Sequence, residues 1–209
     1  IKRENKENKW FEEKIGKARK LAKELEKKFS DILFVGASGS VASSHPKITD
    51  DIDILIITKT NKLWKNRLNL RWWIFKNKIP HRKYGEQGKR DDFCFNLWLD
   101  ETSLYLPKEK QNLKNAVDLI LLKPLVNKSQ TYEKFILAND WAKKWIKTPY
   151  MNKIKDSRFM IQDSKIKQNI FERFMNYFYF WPQYIYMKRN RVQKTVGLHQ
   201  AFFHSQMVK

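Results

Sequence analysis

Apolar residues recur every three or four positions from Trp10 and Phe11 through Ile15, Ala18, Leu21, Ala22 and Leu25 to Phe29, with charged residues between them. That period predicts an amphipathic helix over residues 4–29. The run "DILFV" at 31–35 predicts a short strand ending at Gly36. A glycine and serine loop follows, with Ser38 or Ser40 able to cap a short helix through "SVASS" and Pro46 ending it. "DIDILIIT" at 51–58 reads as a buried, β-branched strand, and residues 61–76 as a basic helix. The segment "KNKIPHRKYGEQGKR" at 76–90 is a long polar loop, of a length that is usually functional or mobile. "DFCFNLWL" at 92–99 predicts a third strand, in which strict alternation places Phe93, Phe95, Leu97 and Leu99 on one face and Asp92, Cys94, Asn96 and Trp98 on the other.

From about residue 108 every periodic segment reads as helix: "KEKQNLKNAVDLILL", "SQTYEKFILANDWAKKWI" and a long aromatic helix over 164–189 that Pro182 can bend. Phe171, Phe174, Phe178, Trp181 and Ile185 recur at helical spacing and are expected to face the core rather than to stack bases. No internal repeat or low-complexity tract interrupts the pattern. The expected architecture is α/β (α+β), with an α/β domain over residues 1–106 and a helical region over 107–209 packing on or beside it. In the first part a small mixed sheet carries flanking helices, packed on one side; the second is an α-helical C-terminal half.

With 209 residues, 42% of them hydrophobic, the chain can bury a substantial core. Its formal charge of +21 is uneven. Residues 61–90 carry ten Lys/Arg against one acid and residues 151–209 eleven against three, whereas residues 31–60 hold four acids against two bases. A basic chain with a local acidic cluster fits a polyanion and a cation met together, and a lysine-rich solvated surface accounts for the overall charge equally well. The single cysteine, Cys94, excludes an intramolecular disulfide and fits a reducing compartment, so a cytoplasmic protein is expected; one cysteine and four scattered histidines argue against a zinc site. The N-terminal stretch mixes acids and bases without the apolar run of a signal peptide, and a first residue of Ile1 rather than Met points to a trimmed or partial chain. The apolar stretch at 170–187 contains Glu172, Arg173, Asn176, Gln183 and Pro182, so no membrane span is expected.

The acids cluster at Asp50, Asp51 and Asp53. Alternation puts Asp51 and Asp53 on one face of the strand, roughly 6 to 7 Å apart along the chain, and Asp50 on the other. Carboxylates that close repel unless a cation lies between them, and oxygen ligands favour a hard cation such as Mg²⁺. Gly39, in a loop entering a helix, lets a phosphate approach the backbone without a Cβ in the way. A polar turn opening a buried strand would explain Asp-x-Asp alone; the Gly-Ser pair just upstream favours a site. No G-x-G-x-x-G or G-x-x-x-x-G-K-[ST] motif occurs, and "GASGS" lacks the second glycine of a nucleophile elbow.

Gly39-Ser40, ten intervening residues and Asp51-Ile52-Asp53-Ile54 resemble the signature of the DNA polymerase beta-type nucleotidyltransferase superfamily, with the element order matching over about residues 15–100. The resemblance implies that Gly39 and Ser40 hold the phosphates of a nucleoside triphosphate. It also implies that Asp51 and Asp53 bind Mg²⁺ in a two-metal site, for transfer of a nucleoside monophosphate to a hydroxyl with release of pyrophosphate. The family's third acid falls here on Asn96, whose amide can ligate a metal through oxygen but cannot act as a base. A shifted register would instead offer another carboxylate, such as Asp100. Three readings follow: a Mg²⁺-dependent nucleotidyltransferase, a catalytically impaired nucleotide- or RNA-binding module of the same fold, and a basic nucleic-acid-binding protein whose aspartates only form a turn. Acceptors consistent with the first include RNA and other hydroxyl compounds, and oligomeric state is left open. Lys76, Lys78, His81, Arg82, Lys83, Lys89 and Arg90 can contact a triphosphate or a nucleic acid, or form a solvated basic loop. His45, and Arg189, Arg191 and Lys194 beyond the last helix, are weaker polyanion contacts.

Overall fold

The computed structural model describes residues 2–83, 86, 88–156, 159, 169–189 and 196–203. Helix α1 (Lys2–Lys28) buries Ile15, Ala18, Leu21, Ala22 and Leu25 along one stripe, as the apolar period requires. Backbone bonds from Phe29 to Leu25 and from Ile32 to Phe29 turn the chain into β1 (Ile32–Ala37), all six residues of which are buried. The four-residue helix α2 (Gly39–Ala42) precedes β2 (Ile52–Thr58), and β2 returns antiparallel to β1. Helix α3 (Leu63–Lys76) is the crossover that lets β3 (Phe93–Asp100) run parallel to β2.

The second half is largely helical, with two exceptions. Residues Lys123–Asn127 form β4 and Gln200–Phe202 form β5, antiparallel to β1 and β3 respectively, so the five-stranded mixed sheet has the order β4-β1-β2-β3-β5. The expectation that every segment past residue 108 is helical is therefore corrected. Both segments are short edge strands, and the one Pro in them, Pro124, stands where a sheet tolerates a missing donor. Helix α4 (Leu113–Leu121) precedes β4, and α5 (Thr131–Ala138), α6 (Lys143–Ile154) and α7 (Ile170–Arg189) lie between β4 and β5. Asn139 divides the helix expected over 129–146: its buried side chain donates to Leu104 and Phe135 carbonyls and accepts from Leu106 N and Trp141 Nε1. The predicted start of α7, residues 164–168, lies outside the described residues.

Helices cover both faces of the sheet rather than one. Ile52, Ile54 and Ile56 of β2 join Ile15, Leu25, Trp64 and Phe180 in a core with α1, α3 and α7. Leu55 and Ile57 join Phe34, Leu119, Phe135 and Tyr150 in a second core with α4, α5 and α6. Among the described residues no helix is long and apolar enough to cross a membrane.

Strict alternation fails in β3. Asp53 pairs with Cys94 but Leu55 with Leu97, so two steps along β2 match three along β3. One extra residue is a β-bulge, which switches the side-chain parity. Phe93, Phe95 and Trp98 consequently lie in the first core while Leu97 and Leu99 lie in the second.

Candidate functional site

Lys14 fixes the entry to β2 from below. Its fully buried ammonium donates to the carbonyls of Asp50 at 2.6 Å and Ile48 at 3.3 Å, and pairs with Asp91 at 2.8 Å. Burial raises the Asp91 carboxyl, but hydrogen bonds from Lys14 and Lys17 outweigh it and hold the pKa below the usual carboxylate range. Bonds from Ile52 N to Asp92 O and from Asp91 N to Asp50 O join the starts of β2 and β3. Farther along, Arg82 N donates to Phe93 O, and this pairing brings the Arg82 guanidinium to Asp51 Oδ2 at 3.0 Å.

Asp51, immediately before β2, and Asp53 within it turn to the same side, where Cys94 lies opposite Asp53. One ligand atom from each of the three lies within 4.8 Å of the others. Burial and the neighbouring Asp51 charge push the Asp53 carboxyl up to about 7. Burial, then the charges of Asp53 and Asp51, push the Cys94 thiol far above the usual thiol range, so it serves as a neutral donor to Asp53 rather than a thiolate. Asn96, in the bulged part of β3, is buried and donates from Nδ2 to Asp53 Oδ1 at 2.7 Å. The residue in the expected place of a third acid is thus in contact with Asp53, as a hydrogen-bond donor.

Two glycines close over the carboxylates. Gly39 has φ +64°, a left-handed conformation, and a Cβ there would collide with the Asp53 carboxylate. Gly88 lies over Asp51, where a Cβ would meet Oδ2 at 2.6 Å. Ser38 occupies the position before α2, yet its side chain makes no capping bond; its backbone N–H instead donates to Asp53 O at 2.9 Å. Ser40 is half-buried beside Gly39, and its carbonyl accepts from Ser43 Oγ and His45 N.

The ligand atoms of Asp51, Asp53 and Cys94 together could hold a metal ion: two carboxylates converge, burial holds one of them protonated near neutrality, and Arg82 pairs with the other, Asp51. Two members of this site have no motif in the sequence. Gly88 lies far along the loop, and nothing local links it to Asp51. Asp118 of α4 is half-buried, burial raises its carboxyl, and its charge adds to those that raise the Asp53 carboxyl. Its one sequence signal is an acid set between Val117 and Leu119.

Other candidates lie elsewhere. Asp100 pairs with Thr58 at the far end of β3 and bonds to Thr102, Asn61 N and His199. Asp92 accepts from Lys89 N, and Asp50 from Lys47 N. Of the basic loop, Arg82 reaches the carboxylates, while Arg90 turns to Glu13, Asp91 and the Trp10 ring, and Lys83 pairs with Glu86. His81 Nδ1 faces Ile79 O, and the His45 ring bonds to Ser43 O. Lys76, Lys78 and Lys89 are exposed, and Arg189 ends α7. Arg191 and Lys194 lie outside the described residues. Phe171, Phe174, Phe178, Trp181 and Ile185 are exposed on α7 and not in the core, which corrects the sequence expectation. No protein-family model, curated protein or solved structure matches the chain.

Proposed function

We propose that the chain is a nucleotidyltransferase that binds a nucleoside triphosphate beside a divalent cation, Mg²⁺ by its oxygen chemistry, and transfers the nucleoside monophosphate to a hydroxyl acceptor. The observation that carries this reading is the apposition of Gly39 and Asp53. A loop backbone in left-handed conformation lies against a carboxylate that already faces a second one. In this reading Asp51 and Asp53 hold the cation, which supplies charge neutralisation for the phosphates. Gly39 and Ser40 hold the phosphate chain, and Arg82 exchanges part of its pairing with Asp51 for a phosphate oxygen. Asn96 and Cys94 fix the Asp53 carboxylate by donating to it. The acceptor's hydroxyl oxygen attacks the α-phosphorus, its proton passes to solvent and pyrophosphate leaves.

A second reading rests on Asn96. An amide where the resemblance implies an acid favours a module that binds nucleotide or RNA without transfer. Incubation with α-labelled nucleoside triphosphates, Mg²⁺ and either RNA or protein acceptors separates the two. Incorporation that Asp51→Ala and Asp53→Ala abolish supports the enzyme; saturable nucleotide binding without incorporation supports the module.

A further inference from the structure

Helix α7 has two apolar faces, and the chain itself uses one. The inner face buries Asn176, Phe180 and Met187. Gln183 locks that face to α3, donating to Trp64 O at 2.9 Å and accepting from Arg67 at 2.6 Å. On the outer face Phe171, Phe174, Phe178, Trp181 and Ile185 are each between 52% and 68% exposed, and Ile170 beside them is 88% exposed.

The spacing of the outer residues is three, four, three, four. That is the a/d register of a seam between two helices, narrower than the face a helix turns to its own core. At about 200 Å² for each fully exposed side chain of this size, the six offer about 800 Å². Single apolar patches on monomers rarely exceed about 600 Å², and about 800 Å² is what each partner contributes to a standard stable interface.

The chemistry of the stripe selects its occupant. Residues 174–187 contain no charged side chain, in a chain of formal charge +21. A polyanion therefore meets cations at the ends of this ridge, at Arg173 and Lys188, and none between them. A helix lying in a membrane interface carries lysine and arginine on its polar face, whereas the opposite face of α7 is packed on α3, where its Glu172 pairs with Lys62. A second copy of the same ridge is complementary in chemistry and spacing, and it brings no like charges together.

We infer that the outer face of α7 is the homodimer interface, with two α7 helices antiparallel about a two-fold axis near Phe178. In that register Phe171 of one copy faces Ile185 of the other, and Phe174 faces Trp181. Closed two-fold pairing of this kind uses the ridge of both copies at once, so this contact does not extend into filaments.

Analytical ultracentrifugation across a concentration series tests the interface, together with thiol cross-linking. The wild type is expected to sediment as a dimer, and Phe178→Glu to weaken it by at least about 30-fold with unchanged circular dichroism. Because a glutamate can disturb the helix, Phe178→Cys gives an independent readout. It should form an interchain disulfide on mild oxidation while Trp72→Cys, exposed on α3, does not; the native Cys94 is buried. A wild type that is monomeric throughout overturns the proposal. If that monomer co-sediments with phosphatidylcholine–phosphatidylserine vesicles, a membrane is the occupant instead; if Phe178→Cys in the monomer resists thiol reagents, the chain's own segment is. A dimer unaffected by Phe178→Glu and giving no Phe178→Cys cross-link also overturns it.

Discussion

Asn96 Nδ2 lies 2.7 Å from Asp53 Oδ1, so a neutral donor holds a carboxylate that burial and Asp51 already push toward protonation. Asn96→Asp replaces the donor with an acid that must either share a proton with Asp53 or share a cation. Without divalent ions the variant should lose about 1–3 kcal/mol, the cost of a buried polar group stripped of its partner. With Mg²⁺ it should recover more stability than the wild type does. Thermal melts with and without Mg²⁺ check both, and label incorporation from a nucleoside triphosphate shows whether the added carboxylate raises transfer.

Gly39→Ala should be costly for two separable reasons. The left-handed φ of +64° strains any residue with a Cβ, by about 1–3 kcal/mol, and the added methyl strikes the Asp53 carboxylate. Gly88→Ala meets Asp51 without that backbone strain. Both variants should therefore lose divalent-cation binding in calorimetry, while Gly39→Ala alone should show a large fall in melting temperature.

Lys14→Met removes the ammonium that ties the strand entry to α1. Asp91 keeps Lys17 and Arg90, but the carbonyls of Ile48 and Asp50 lose a fully buried donor. Breaking a buried charge pair by deleting one partner costs about 3–5 kcal/mol. Denaturant unfolding should show a loss of this size, and cation affinity should fall because Asp51 directly follows the carbonyl that Lys14 holds.

The parts legible in the sequence were those where local pattern and tertiary role agree. Residues 51–54 alternate acids with isoleucines and lead into the apolar run of β2, with Asp51 and Asp53 on one side. The β-bulge left no such trace. Phe95, Asn96, Leu97 and Trp98 suit either parity, and the register is set by pairing with β2. β5 has three residues, too few to display a period, and Pro124 disguises β4. The stripe of α7 shows a different limit: helical spacing marks a face that seeks apolar contact without saying whether the contact lies within the chain. Gly88 and Asp118 entered the site through tertiary proximity, which no neighbouring residue signals.

The raised pKa of Asp53 gives a pH dependence whose sign is fixed. A carboxyl near 3.8 when unfolded and about 7 when folded binds more protons in the native state between those values. Stability contributed by this group is therefore greatest below about pH 4 and is lost as pH rises toward and through 7. The full loss is at most on the order of 4 kcal/mol, reduced by the partial solvent access of Asp53. Asp53→Asn removes the titration and keeps an acceptor for Asn96. The difference in melting temperature, variant minus wild type, should thus grow from near zero at about pH 4 to several degrees at pH 8 in the absence of divalent ions. Other acids titrate in both proteins and cancel in the difference. Mg²⁺ should stabilise the wild type at pH 8 and leave Asp53→Asn nearly unchanged, because the variant has lost the carboxylate whose charge the cation would offset. A difference that is flat with pH would show that Asp53 is not held near neutrality by its surroundings.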